Sequence, residues 1–421
     1  MNTKLISSIT LTGFALTTLS AAAEETTTPP AKNAFNPQIS FIFDGAYYSD
    51  NQDGEGYEWL EEIPGIQGEG HSHEGEEEHA HGELSEGFNL REQELVMTAA
   101  IDPNLDGSVF LAISEDEIEI EEAFFTTRGL PGGLQLKAGK FLSSIGYLNN
   151  KHVHTWDFVD QNLAYLSLLG DHGLNDTGLQ VTWLPKTPFY TQLGIEWFQG
   201  DEQERLGLRV EEEEEREELG LDELETGPSL LTAFVKVSPD LGFYHNLQAG
   251  LWFADSQQDQ NIVEVDEEET GLEGDAQMWG VDFIYKYDSQ GDYGRGDAII
   301  TAEYMSLEKD WNVTNGDLAG TSAKGEQDAF YAQGVYYFAP RWMAGLRYDS
   351  TGLTNDLTGG GLDESFDESN RVSLLLSWVP TEFSRIRLQY SQADIAGEDD
   401  DLDQLFLQFT YSLGSHGAHQ F

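Results

Sequence analysis

The stretch richest in potential ligands is Gly70-His71-Ser72-His73-Glu74-Gly75-Glu76-Glu77-Glu78-His79-Ala80-His81-Gly82-Glu83. Imidazole suits zinc, copper and nickel, and two His-x-His pairs separated by glutamates place several donors within reach of one ion. Four of the chain's ten histidines fall in this span, so their placement is not an even scatter. His71, His73, His79 and His81, with Glu76, Glu77 and Glu78, are candidate ligands for Zn2+ or another divalent cation, although nothing in the sequence makes a cofactor a requirement. A solvated acidic loop with incidental histidines accounts for the same residues. The glycines make the segment flexible, and ordering it around an ion costs conformational entropy, so a modest affinity is expected.

A second chemistry-bearing stretch is Leu134–Pro185. Two strand-like runs, Leu134–Leu142 and Gly178–Leu184, bracket a connection far longer than an ordinary hairpin loop. Lys151, His152, His154, Asp157, Asp160 and His172 lie in it beside Trp156, Phe158, Leu163, Tyr165 and Leu166. So mixed a segment suits neither lipid nor bulk water; it needs a wall to pack against and a water-filled space to face. Charges clustered at a constriction select which ions pass. Alternatively the aromatics anchor the loop while its polar groups satisfy one another, and the two roles are compatible. Lys137, Arg347, Arg385 and Arg387 fall on polar strand faces, where they would give an inner wall positive character.

Other candidates carry less. The run Glu211–Glu218, relieved only by Arg216, is either a loose calcium or magnesium site or a solvated, transiently helical loop, and its spacing matches no dedicated calcium loop. Ser143 and Ser144 precede His152, but no nucleophile-elbow signature accompanies them. Carboxylate pairs are too abundant to point anywhere. The chain is read as a non-enzyme.

These residues need a scaffold, and the rest of the chain describes one. Met1–Ala23 has Lys4, an apolar core over Leu5–Leu19 and the small-residue run Ala21-Ala22-Ala23, as a secretory signal peptide has. Residues 24–33 read as a periplasmic lead-in and 34–421 as one domain. With 21 Lys+Arg against 77 Asp+Glu the formal charge is −56, which excludes nucleic acid as a partner and favours cations. There are no cysteines, so an exported chain of this length has no disulfide restraint. Beyond the leader no apolar run is long enough for a transmembrane helix.

Alternation recurs instead. Ile39, Phe41 and Phe43; Leu179, Val181 and Trp183; Leu193, Ile195 and Trp197; and Leu374, Leu376 and Trp378 take every second position, with Gln180, Thr182, Gln192, Glu196, Arg385, Arg387 and Gln389 between such residues in these and later runs. That is the period of a half-buried strand, in a soluble sandwich or a barrel alike. The connections discriminate. Tight turns (Asp102-Pro103-Asn104, Gly129–Gly133, Pro185–Pro188, Ser238–Gly242, Ala339-Pro340, Pro380–Phe383) alternate with long, mostly acidic loops (Ser49–Glu86, Ser143–Gly173, Gly200–Gly227, Gln257–Gly274, Trp311–Glu326, Thr351–Asp367, Gln392–Asp401). Short turns on one side and long loops on the other predict an all-β transmembrane antiparallel barrel of about 16 strands, with one loop folded into the lumen. Trp183, Trp342 and Trp378 beside tight turns would form the periplasmic aromatic girdle.

The last run, Leu405, Leu407, Phe409, Tyr411 and Leu413, alternates with polar residues and the chain ends on Phe421, although Ser415-His416-Gly417-Ala418-His419 interrupts the pattern. A terminal aromatic on such a strand resembles the assembly signal of bacterial outer-membrane barrels. The whole mature chain, and the run Gly139–Asp160 with KFLSSIGYLN followed by KHVHTWDFVD, resembles Gram-negative porins of the phosphate-selective-porin-like superfamily. The resemblance implies passive diffusion of small hydrophilic solutes, an outer-membrane setting among lipid and lipopolysaccharide, and a homotrimer. The acid excess argues against carrying over phosphate and for a cation preference, with assisted zinc uptake as an extension. The other reading is a metal-binding receptor without general pore activity.

Overall fold

The structure, a computed structural model, describes residues 37–414 except 55, 67–83, 115–116, 202, 211, 225 and 266–267. The proposed leader, the lead-in, the His-rich segment and the terminal Phe421 lie outside the described residues. Sixteen strands follow in order: β1 Gln38–Asp50; β2, in two parts, Gly87–Leu90 and Gln93–Asp102; β3 Leu105–Ile113; β4 Ile118–Thr127; β5 Leu134–Leu142; β6 Asn175–Trp183; β7 Tyr190–Phe198; and β8 Leu230–Ser238. The second half comprises β9 His245–Val265, β10 Glu268–Tyr287, β11 Ala298–Val313, β12 Ser322–Ala339, β13 Trp342–Gly359, β14 in two parts (Glu364–Ser365 and Ser369–Thr381), β15 Ser384–Asp394 and β16 Leu402–Gly414. Each strand pairs antiparallel with its chain neighbours, and β16 closes on β1 from Ser40↔Gly414 to Asp50↔Gln404. Both parts of β2 pair with β1, and both parts of β14 pair with β13. Closure removes every sheet edge and restrains a chain that has no cysteine to do so.

Side-chain direction settles what alternation left open. Along β7, Leu193, Ile195 and Trp197 point outward and are exposed, whereas Gln192 and Glu196 are buried inside. Along β15, Leu388 and Tyr390 face out while Arg387, Gln389 and Ser391 face in. A soluble sandwich buries its apolar face; a barrel in lipid turns that face outward and keeps polar groups for the lumen. Trp342 and Trp378, cross-strand partners, stack outside with ring centroids 5.8 Å apart beside the short turns, where the girdle was expected.

Three expectations about loops need correction. Most of Gln257–Gly274 and Thr351–Asp367, and half of Trp311–Glu326, is strand, not loop. β9 and β10 run for 21 and 20 residues, whereas crossing a bilayer takes about 9–11, so they form a ribbon projecting well beyond it. Hydrophobic alternation fades there because both faces leave lipid, while the backbone ladder continues regardless. The acidic run is also ordered: Glu213–Leu219 is a helix closed by left-handed Gly220, and Val210, Leu219 and Leu221 pack against Ile262 of the ribbon.

Candidate constriction site

The connection between β5 and β6 enters the barrel and is tied to its wall on several sides. At its start Glu196 of β7 accepts from the Ser144 amide at 2.9 Å and from the Ser143 hydroxyl. Glu303 of β11 accepts from the amides of Tyr147 (2.8 Å) and Leu148 (3.0 Å) and from the hydroxyls of Tyr165 and Tyr331. Lys236 of β8 donates to the Gly146 carbonyl at 2.7 Å. Gly146 has φ +56°, and a Cβ there would collide with the Glu303 carboxylate, so the backbone approaches that closely only as glycine. A short helix, Leu163–Leu168, is capped by the Asn162 side chain accepting from the Tyr165 amide at 3.0 Å, and its buried Leu163, Ala164, Tyr165 and Leu168 face the wall and neighbouring loops.

Arginines hold the other end. Arg385 and Arg387 of β15 donate to the carbonyls of His154, Trp156, Asp157 and Phe158; Arg91, between the two parts of β2, donates to that of Val159 at 3.0 Å. Arg347 of β13 reaches Asp160 Oδ1 at 2.7 Å and Asp349 at 3.0 Å, and Arg371 of β14 reaches Asp160 Oδ2 at 2.9 Å and Asp349 at 2.8 Å. These two arginines and two aspartates form a closed, buried quartet. Burial alone would raise the Asp160 carboxyl, but Arg347 and Arg371 outweigh it and bring its pKa to about 2.

The histidines lie against the wall formed by β2, β3 and β4. His152 is buried, its ring stacked on Phe110 of β3 with centroids 4.6 Å apart. Its Nδ1 lies 2.9 Å from Glu94 of β2 and 3.0 Å from Glu121 of β4, and its Nε2 lies 2.9 Å from Glu122. His154 Nδ1 is 3.4 Å from the same Glu94 oxygen. Burial opposes a charge on His152, yet Glu121 and Glu94 hold its pKa well above the usual imidazole range. Consecutive Glu121 and Glu122 both reach inward because the β3–β4 register slips at Phe110/Leu111, leaving Glu121 as the extra residue of a bulge.

The sequence-derived residues therefore divide. His152, His154, Asp157 and Asp160 come together in the folded-in loop, with Arg347, Arg385 and Arg387 beside Asp157 and Asp160. Lys151 lies over the Tyr147 ring at 4.1 Å, and burial lowers its pKa despite Asp157 and Glu303 nearby. Lys137 is buried between the rings of Phe124 and Phe141, 3.8 Å from Glu122. His172 is exposed at the loop's end. Aromatic anchoring with polar groups facing water is only part of the arrangement: His152 and Asp160 are buried, and polar bonds to the wall share the anchoring with buried Ile145, Leu148, Trp156, Tyr165 and Leu168. Sequence reading missed Glu94, Glu121, Glu122, Glu303 and Arg371, and gave Glu196 only a polar strand face. Parity with Arg347 and Arg387 on polar strand faces was the available signal for Arg371; the other glutamates were indistinguishable among 77 acidic residues.

No family model matches the chain. An uncharacterized protein of Aquifex aeolicus is 34% identical over 401 residues, covering 93% of this chain and 81% of that protein. Among solved structures, the outer-membrane protein OmpT of Vibrio cholerae, in its trimer form, is similar with TM-score 0.53 at 12% identity, over 90% of this chain and 100% of that one. The outer-membrane channel DcaP of Acinetobacter baumannii gives TM-score 0.53 at 12% identity, over 90% and 96%. OprB of Pseudomonas putida gives 0.51 at 12%, over 90% and 94%. At such identities the likeness is one of fold: a porin-type outer-membrane barrel.

Proposed function

This chain belongs to one family with the uncharacterized Aquifex aeolicus protein, and from its barrel and folded-in loop we propose that it is an outer-membrane porin passing small hydrophilic solutes by diffusion. The observation that carries the reading is the β5–β6 connection, which lies inside a sixteen-stranded barrel and is bonded to opposite walls. A loop so placed narrows a lumen that a barrel of this size would otherwise leave wide. Acidic groups dominate the β2–β11 side of the loop and arginines the β13–β15 side, an arrangement that sets a field across the passage.

Cation preference follows from where the charges stand. The wall arginines point at loop carbonyls and Asp160, so little of their charge is left for a passing anion. At the rim, Asp399, Asp400, Asp401 and Asp403 line an open recess of about 580 Å³ with Asn51, Gln52 and Gln392. A net charge of −56 concentrates cations at such a mouth. Planar-bilayer recording under a KCl gradient tests this: a stable conductance with cation-selective reversal potential is expected, and anion selectivity or no conductance overturns the corresponding part.

Zinc capture by His71, His73, His79 and His81 with Glu76, Glu77 and Glu78 extends the reading to divalent-metal uptake; an outer-membrane receptor without general pore activity is the competing form. Zinc titration with and without residues 70–83 decides it, because unchanged binding after their removal ends the role of that loop. Trimeric assembly is proposed on the porin-type fold and on the trimer form reported for the Vibrio cholerae protein. The outward apolar band is suited to lipid and the acidic loops to cations bridging lipopolysaccharide.

A further inference from the structure

The carboxylates around His152 carry an inference that depends on the fold alone and would stand even if the barrel conducted nothing. An imidazole nitrogen holds one proton at most, yet His152 Nδ1 sits 2.9 Å from Glu94 Oε2 and 3.0 Å from Glu121 Oε1 at once. One proton at Nδ1 serves one of those oxygens well and leaves the other against a nitrogen with nothing to share. Meanwhile Nε2 faces Glu122 Oε1 at 2.9 Å, and Glu122 has Lys137 3.8 Å away. The cluster also has spare acceptor capacity. Glu94, 4% exposed, keeps Oε1 without a hydrogen-bond partner among the described residues, and Glu121 Oε2 is in the same position.

A bound cation satisfies all these groups. If it displaces the Nδ1 proton of His152 while Glu122 keeps the Nε2 proton, the freed Nδ1 lone pair is directed at an ion held between Glu94 and Glu121. A carboxylate behind the distal nitrogen of a metal-bound histidine is the usual means of fixing tautomer and ring orientation. The donors Glu94, Glu121 and His152 all lie within 4.8 Å of one another, and His154 Nδ1 is 3.4 Å from Glu94 Oε2. The separations of His152 Nδ1 from Glu94 and Glu121 and of His154 Nδ1 from Glu94, 2.9–3.4 Å, match three edges, about 3.0–3.4 Å, of a polyhedron built on metal–ligand bonds of about 2.1 Å. Charge also balances. Three carboxylates and Lys137 leave an excess of two negative charges, which a divalent cation cancels, while Arg91 nearby is paired with Asp44 at 3.4 Å.

We propose that Glu94, Glu121 and His152, with His154 as a further nitrogen donor and Glu122 orienting the His152 ring, form a divalent transition-metal site where the constriction loop meets β2 and β4. Mixed imidazole and carboxylate donors select Zn2+ and its first-row neighbours over Mg2+ or Ca2+, which prefer oxygen alone. The site is distinct from the His71–His81 segment. It draws on both the wall and the loop, so a bound ion would cross-link them.

Zn2+ titration by calorimetry and Co2+ titration by visible absorption, on purified full-length protein carrying His71→Ala, His73→Ala, His79→Ala and His81→Ala, test it. The expected result is one equivalent of either ion per chain, with a Co2+ spectrum showing nitrogen and oxygen ligation. His152→Ala should abolish it. Glu122→Gln should weaken it about 10–100-fold, while the folded barrel keeps its heat-modifiable mobility on gels. Absence of binding in the four-histidine variant overturns the site, as does undiminished binding in His152→Ala. Should His152→Ala fold poorly, Glu122→Gln decides alone, because unchanged affinity there removes the orienting role on which the geometry rests.

Discussion

Asp160 and Arg371 illustrate what one side chain contributes when it joins loop to wall. Asp160 sits between Arg347 and Arg371, and its folded-state pKa of about 2 lies below the usual carboxylate value. A depressed carboxyl adds stability above its unfolded pKa and loses it as pH falls through the folded one. The clamp is therefore complete above about pH 4 and fails towards pH 2. Single-channel current noise should rise as the bath is acidified through that window, and Asp160→Asn should be noisy already at neutral pH. Removing one member of a buried ion pair commonly costs about 3–5 kcal/mol, because its partner is left charged and unpaired. Arg371→Ala is expected to loosen the loop by that order, detected as faster proteolysis between residues 143 and 173. Gly146→Ala should act similarly by pushing the backbone off Glu303.

At the scale of elements, the strands and the folded-in loop answer to different forces. Each strand turns apolar residues to lipid and polar ones to the lumen, so a misplaced charge is penalised according to depth. Ile195, 59% exposed on the outer face and paired across from Val181, is a direct probe. Ile195→Arg is expected to cost about 2–4 kcal/mol if the position is central in the bilayer, read as a shift in urea-dependent refolding into lipid vesicles. The loop depends instead on fixed partners in the wall, its polar backbone satisfied by Arg91, Arg347, Arg371, Arg385, Arg387, Glu196 and Glu303. Replacing 147–171 by a short Gly/Ser linker should leave the barrel folded and raise conductance several-fold. Unchanged conductance would show that the passage is not set by this loop.

For the whole molecule, the charge excess is concentrated where it meets water. In the proposed porin, a mouth built from acidic loops and the Asp399–Asp403 rim would attract cations over a distance set by salt screening, about 10 Å at 0.1 M. Cation selectivity should therefore weaken as bath salt rises from 0.1 M to 1 M. Selectivity that persists at high salt would locate the discriminating groups at the constriction and not at the mouth.

Much of the barrel was legible in the chain because its signals are local. A period of two, Pro/Gly/Asp turns at alternate connections and tryptophans beside those turns are properties of neighbouring residues, and they determined the strand class, the approximate number and the end at which the long loops lie. Residues 143–173 were legible as an intrusion for the same reason: the segment is too long and too mixed for a surface hairpin. Which groups hold it was decided only by closure of the sheet. Arg91 and Val159 are 68 positions apart, Asp160 and Arg371 are 211 apart, and no local pattern links such residues. Strand parity indicated that Arg347 and Arg387 faced inward, but whether they would meet ions or carbonyls depended on where the loop came to rest. His152 shows the same division. Its sequence neighbours mark it as chemically capable, whereas the three glutamates around it come from β2 and from a bulge in β4, brought together by register and barrel curvature.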